Sequence, residues 1–381
     1  MNRIVSLLLV SVMSVEAGIV TQTFENINVD GYLRGIYQAH NVKGDKVYED
    51  DALGGKLHIE LAPLYGVSFG ATFYTSNTII NNENRGLVPL QGESHKSYSI
   101  LGEAYLKAEF GKSMLKVGRQ EIETPFAQLD DIGMVPNTFE AAILESHTID
   151  KTTVLLGQIQ KMAGVDAEVV DRFTKINGSK NVQVLGITYQ GVSDLNLAGW
   201  YYNLKGSEVD KIAYLEVNYE KELNDMSYGV GLQYAKESYS VGKMTNIYGG
   251  TLSAMSNRVG LTVAVAYNKV DGNSAFSGFG GGPFFSNSEY LILDNAGKDA
   301  KATWFGAEYN AKNIGLDGLT LGLGKITLED EEAKEATEID FTASYEFSET
   351  TEIHLIASKL KGTNVGEDNA KHLRVFANYN F

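Results

Sequence analysis

Along most of the chain, apolar and polar side chains alternate strictly in segments of about ten residues, and few folds accommodate that pattern. In 336–347, Ile339, Phe341, Ala343, Tyr345 and Phe347 share one face, and Glu338, Asp340, Thr342, Ser344 and Glu346 share the other. In 371–381, Leu373, Val375, Ala377, Tyr379 and Phe381 alternate with His372, Arg374, Phe376, Asn378 and Asn380. In 211–221, Ala213, Leu215, Val217 and Tyr219 alternate with Tyr214, Glu216, Asn218 and Glu220. Period two describes a strand with one dry and one wet face. Ten residues is also the length of a tilted strand that crosses a bilayer.

Eighteen such segments can be marked: 28–40, 52–63, 65–75, 97–110, 112–121, 138–148, 151–161, 180–191, 194–204, 210–221, 225–237, 244–255, 257–269, 301–312, 317–327, 336–347, 350–361 and 371–381. Their connections are sorted. Most even-to-odd ones are tight, such as Val192-Ser193 and Ser348-Glu349. Most odd-to-even ones are long and polar: 41–51, 76–96, 122–137, 162–179, 270–300, 328–335 and 362–370, with shorter ones at 205–209 and 238–243. A membrane barrel sorts its loops this way because its two rims face different compartments. No linker or composition shift interrupts 18–381, which reads as one domain.

Lipid cannot accommodate Glu216, Glu338, Asp340, Glu346 or Arg374, so the polar faces point inward, together with Glu103 and Lys107. About eighteen strands enclose a lumen too wide for side chains to fill, and no spare sequence supplies a plug domain. The expected architecture is an all-β, antiparallel, up-and-down transmembrane barrel with a water-filled pore for small polar solutes and ions.

Other features agree. Met1-Asn2-Arg3, the apolar run Ile4–Met13 and Val15-Glu16-Ala17 read as a signal peptide, residues 1–17, cleaved before Gly18. No later stretch is apolar over the roughly 18 residues of a membrane helix. The net charge of −16 argues against nucleic acid as a partner, and the absence of Cys excludes a disulfide framework. There is no G-x-S-x-G or HExxH motif, so the chain reads as a non-enzyme without a cofactor. His58, His354 and His372 lack metal-ligand spacing. The acidic run Leu328-Glu329-Asp330-Glu331-Glu332 is a candidate loop site for Ca²⁺, but it lacks the spaced D-x-D-G geometry and a solvated external loop explains it better. A surface adhesin with an occluded pore and an outer-membrane hydrolase remain as alternatives.

The stretch Leu115-Lys116-Val117-Gly118-Arg119-Gln120, with Thr124-Pro125-Phe126, Asp130-Asp131 and Val135-Pro136-Asn137-Thr138-Phe139, resembles the OprD-type porin family. So do Gly280-Gly281-Gly282-Pro283-Phe284-Phe285 and the final strand. Gly31-Tyr32-Leu33-Arg34-Gly35 looks like the opening strand of these porins and of campylobacterial major outer-membrane porins. The resemblance implies an eighteen-stranded barrel in the bacterial outer membrane, often a homotrimer among lipid and lipopolysaccharide, whose third external loop folds inward. The terminal Phe381 looks like the signal read by barrel assembly machinery. The third long loop by count, 122–137, is where the motif falls. Pro125, Asp130, Asp131 and Pro136, facing Arg34, Arg119 and Arg374, form the candidate constriction, where opposed charges would set up a transverse field. Arg119 shares the parity of Leu115 and Val117, so it belongs at the rim unless a bulge turns it inward. By parity the lumenal acids outnumber the bases. That departs from the basic ladder of carboxylate-selective OprD-type channels and leans towards cations and neutral solutes.

Overall fold

The computed structural model describes residues 27–83, 88–93, 95–206, 208–241, 244–362 and 369–381. The expected signal peptide, residues 1–17, lies outside them. The strands are β1 (Ile27–Val42), β2 (Val47–Leu61), β3 (Val67–Asn82), β4 (Tyr98–Phe110), β5 (Ser113–Gln120), β6 (Thr138–Ser146), β7 (Thr152–Ala163), β8 (Thr174–Lys175), β9 (Val182–Val192), β10 (Leu195–Asn203), β11 (Val209–Leu223), β12 (Met226–Tyr239), β13 (Thr245–Ser256), β14 (Leu261–Asp271), β15 (Lys301–Asn310), β16 (Leu319–Glu329), β17 (Glu335–Ser348), β18 (Thr351–Gly362) and β19 (Ala370–Asn380). β8 is two residues resting on Lys161 and Met162, and the wall passes from β7 directly to β9. The other eighteen strands form one closed antiparallel barrel. Closure is made by β1 against β19, with Tyr32 opposite Asn380 and Val42 opposite Ala370.

All eighteen expected segments are strands of this wall. One expected loop is not a loop. Residues 41–51 read as a connection because they are polar, but β1 and β2 stay paired as far as Asn41 and Val47. The hairpin turns only at 43–46. Polarity here marks strands that continue beyond the apolar band, where lipid no longer selects the outward residue. At the opposite rim, tight turns place Asp194 and Asn224 at φ 64 and 55, a conformation that short Asx side chains tolerate.

The two faces are what the alternation requires. Leu33, Leu215, Phe305 and Leu323 point outward and are 55–58% exposed, whereas the neighbouring Arg34 and Tyr214 are 5% and 1% exposed. The inward side is not uniformly wet, however. Inward-facing Ile36, Tyr74, Phe139, Ile159, Tyr202, Ile212, Ile247 and Ile326 are buried against loop residues Leu90, Phe126, Met134, Phe284 and Leu293. The apolar core therefore lies inside the barrel, between the wall and folded-in external loops. Each fully buried side chain of this size contributes about 1.5–3 kcal/mol.

The outward assignment has a direct consequence. Leu323→Arg should cost about 2–4 kcal/mol of folding free energy in lipid vesicles if it lies near the bilayer midplane, whereas inward Thr342→Arg should change it by only about 0.5 kcal/mol. Urea titrations read by heat-modifiable gel migration would measure both. Equal losses at the two positions would contradict the face assignment.

Candidate pore constriction

β5 and β6 are the shortest strands bracketing a long loop, and the chain between them turns inward. Gly118 prepares the turn. Its φ is +133, and a Cβ there would lie 2.2 Å from the Ala104 carbonyl oxygen, so the strand bends where only glycine fits. Residues 121–137 then cross into the lumen with Ile122, Phe126, Met134 and Val135 buried. Pro125 sits in the tight turn closed by Thr124 and Ala127, and Pro136 is buried just before β6. A second loop, 272–300, joins the first. The Gln128 N–H donates to the Phe279 carbonyl (3.1 Å), and the Phe279 N–H donates to the Phe126 carbonyl (2.9 Å). Phe126 also meets Phe284 edge-on, at 6.2 Å between ring centroids. The Gly-rich stretch Gly280–Phe285 is thus loop–loop packing.

Two arginines on the closing strands hold these loops. Arg34 of β1 grips Asp131 through both carboxylate oxygens, at 2.5 and 2.8 Å. It also donates to the Gly133 carbonyl at 2.7 Å and to Asn378 at 2.8 Å, and it lies 4.4 Å from the Tyr32 ring centroid. Arg374 of β19 is 1% exposed and bonds Glu289 of the second loop at 2.6 Å. Asp131, Arg34 and Arg374 therefore converge, but Arg34 and Asp131 form a closed pair and do not face each other across water. A cavity of about 460 Å³ remains beside them, lined also by Glu308, Glu352 and His354.

The other candidate residues lie elsewhere. The Arg119 guanidinium donates to the Leu101 carbonyl at 3.1 Å and stacks on Phe173 at 4.4 Å. Its strand partner is Ala104, on the face of Leu106 and Val117, and no described contact joins it to Asp131 or Arg374. Asp130 is turned away at φ 42. It packs beside Asp166 of the loop 164–181 and receives the Gly281 N–H. Asp166 is itself fixed by Asn137 at 2.7 and 3.0 Å.

The lumenal carboxylates divide by task. Buried Glu338 accepts the N–H groups of Tyr290 (3.2 Å) and Leu291 (2.7 Å), and Asp340 accepts the Ser288 hydroxyl. Glu237 accepts the Phe276 N–H at 3.2 Å. A buried carboxylate requires such donors, and these acids secure the second loop to the wall. Glu103 sits among Thr72, the Glu121 N–H and Lys116. Lys107 pairs with Glu60 and Glu109. Glu216 accepts from Tyr214 and Asn218. Glu346 is exposed near the tight-turn rim, opposite Glu352. Sequence reasoning missed Ser288, Glu289 and Tyr290, which lie in a long loop with no periodicity. Length alone could have flagged that loop.

The acidic run 329–332 is neutralised locally. Lys301 meets Glu329, Lys298 meets Glu331, Lys334 meets Glu332, and Asp330 accepts N–H groups of its own turn. Among the described residues no three His, Cys, Asp or Glu side chains converge as a metal set.

Burial, then the neighbouring Asp166, pushes the Asp130 carboxyl up to about 7, against the Gly281 N–H and Arg374. The folded loop thus holds a proton that an exposed Asp releases near 3.8. Loop docking should be tightest below that value, weaken as pH rises to about 7, and level off above it. Asp130→Asn should flatten the dependence. Hydrogen-exchange protection of 121–137, corrected for intrinsic rates, would show it; protection in the unmutated protein that does not vary with pH would exclude the shared proton.

Comparison with known proteins places this geometry in context. Residues 75–381 match the model of the OprD family, described as outer membrane porins. A comparison with curated proteins finds no match. The structure is similar to that of a BenF-like porin from Pseudomonas fluorescens Pf-5, with a TM-score of 0.80 at 20% identity, covering 94% of this chain and 99% of that one. It is similar to Pseudomonas aeruginosa OpdK, solved with vanillate, with a TM-score of 0.80 at 16% identity and coverage of 94% and 99%. Acinetobacter baumannii OccAB1 gives a TM-score of 0.79 at 17% identity, with coverage of 94% and 97%.

Proposed function

The chain belongs to the OprD family of outer membrane porins, and from that premise we propose that it passes small polar solutes and ions by passive diffusion, with a lean towards cations and neutral solutes. It performs no catalysis in this reading and needs no cofactor. The observation that carries the proposal is the open lumenal space beside the Arg34–Asp131 and Arg374–Glu289 pairs. The cavity there is lined by two arginines against the carboxylates of Asp131, Glu289, Glu308 and Glu352. Both arginines are already matched by loop acids, so the surplus charge offered to a solute is negative. A negative surplus in a narrow passage raises the local concentration of cations. OpdK was solved with vanillate, an aromatic anion; the lining here favours the opposite charge.

Asp131 and Arg34, with Arg374, Pro125 and Pro136 supporting the loop path, form the constriction in this reading. Asp130 acts on it through the loop, and Arg119 acts from outside it. The signal peptide is removed before Gly18, Phe381 addresses the chain to the barrel assembly machinery, and the barrel works as a homotrimer among lipid and lipopolysaccharide. The resemblance of the terminal strand and the family membership support these assignments.

Planar bilayers should show stable current steps, and the reversal potential in a KCl gradient should have the sign for cations. Asp131→Ala removes a charge-assisted clamp on the loop contributing about 1.5–3 kcal/mol. It should raise conductance or its fluctuations and shift the reversal potential towards neutrality. Silent membranes would count against the pore, and a clear anion preference would overturn the charge reading.

A further inference from the structure

A second lumenal cavity, of about 500 Å³, adjoins the constriction and shares Glu289, Glu308 and Thr342 with it. Its floor is unusual for a polar lumen. Gly306, Gly322 and Gly324 line it with Ala264; the Trp304 indole lies over Gly306 and beside Gly324, and the Thr342 hydroxyl covers Gly322. A Cβ at Gly306 would sit 2.2 Å from Cη2 of that indole, so the six-membered ring extends from residue 304 to lie over residue 306. Glu308 follows two positions later on the same inward face of β15, about 7 Å further along the strand. It is exposed to the lumen and makes no hydrogen bond or ion pair among the described residues. On the same stretch of wall, buried Asp340 pairs with Gly324, takes the Ser288 hydroxyl on one oxygen and lies beside Glu338, while its buried Oδ1 has no donor among the described residues. Glu289, the remaining acid, is bonded to Arg374.

We propose that this recess binds small organic ammonium ions that bear an apolar body and no carboxylate. The reading rests on the pore function and names the solute class for one segment of it. Three features point to that class. An indole ring attracts a cation within about 6 Å of its centroid. The free carboxylate of Glu308 lines the same cavity, one inward position, about 7 Å, beyond the glycine that the ring covers. The indole on its glycine bed, with Ala264 and Leu323, gives the recess an apolar stretch that accommodates hydrocarbon. A carboxylate-bearing solute would meet the open carboxylate of Glu308, with no Lys or Arg among the described residues lining the recess to offset it.

The chain has two tryptophans, so Trp200→Phe leaves Trp304 as the sole indole reporter. In that background, benzyltrimethylammonium should produce a saturable change in Trp304 fluorescence, with benzoate and benzyl alcohol as charge-reversed and neutral controls. Glu308→Gln should weaken the apparent affinity about fivefold to tenfold. Heat-modifiable migration would verify that both variants fold. No saturable change, an equal response to benzoate or benzyl alcohol, or an unchanged affinity in Glu308→Gln would overturn the proposal. Bilayer conductance of the same preparations separates the two readings. A conducting pore with a silent Trp304 removes only the ammonium site. A responsive Trp304 in a non-conducting protein removes the pore function and leaves the recess as a binding site.

Discussion

Hydrocarbon offers no partner for a backbone N–H or carbonyl, so a chain that crosses it with strands must close its sheet on itself. The pairing of β1 with β19 meets that requirement here, along the whole of β19 from Ala370 to Asn380. Closure fixes the rest. It commits alternate residues to lipid and lumen with no freedom of register. It also gives the two closing strands a neighbour on each side, like every other strand of the wall. Arg34 and Arg374 stand on these two strands, and each reaches a different inward loop. A long cationic side chain can tether a mobile segment only if its own backbone does not yield.

The interior shows a division that follows from burial. Folding external loops into the lumen removes water from strand faces that the alternation left polar. Every carboxylate so covered then needs donors. Backbone N–H groups of the loop 272–300 provide them at Glu338 and Glu237, and the Ser288 hydroxyl does so at Asp340. Acid on the wall thus serves as attachment where loops dock and as field where they do not. The apolar partners Phe126, Met134 and Leu293 supply most of the favourable burial, and the carboxylate contacts fix which loop residue meets which strand.

The barrel was legible in the sequence because lipid imposes a simple rule. Glu338 and Ile339 cannot exchange faces without placing a carboxylate in hydrocarbon, and the same constraint acts on the other strands that carry charge, such as β11 with Glu216 and β19 with Arg374. The inward loop was legible by its position and motif. Its contents were not. Asp130 and Asp131 are adjacent and chemically identical, yet one grips Arg34 and the other packs against Asp166. That difference comes from the φ of 42 at Asp130, which no periodicity encodes. Glu289 sits in a segment whose path depends on contacts as distant in sequence as Gln128 with Phe279 and Arg374 with Glu289. Polarity also misled at 41–51 and at the start of 76–96, where strands outside the apolar band read as loop.

Parity alone gave a count of lumenal charges, and the structure shows why such a count overstates the field a solute meets. Charges paired with a loop cancel within a few ångströms, and what remains acts over a Debye length of about 8 Å at physiological ionic strength. The potential in the passage is then set by the few carboxylates with no partner, above all Glu308, and by the geometry that brings them near the path. Two porins with the same lumenal composition can therefore differ in selectivity if their loops cover different acids. By the same reasoning, a substitution in a loop can change ion preference without altering any residue of the wall, by exposing a carboxylate that docking had kept covered.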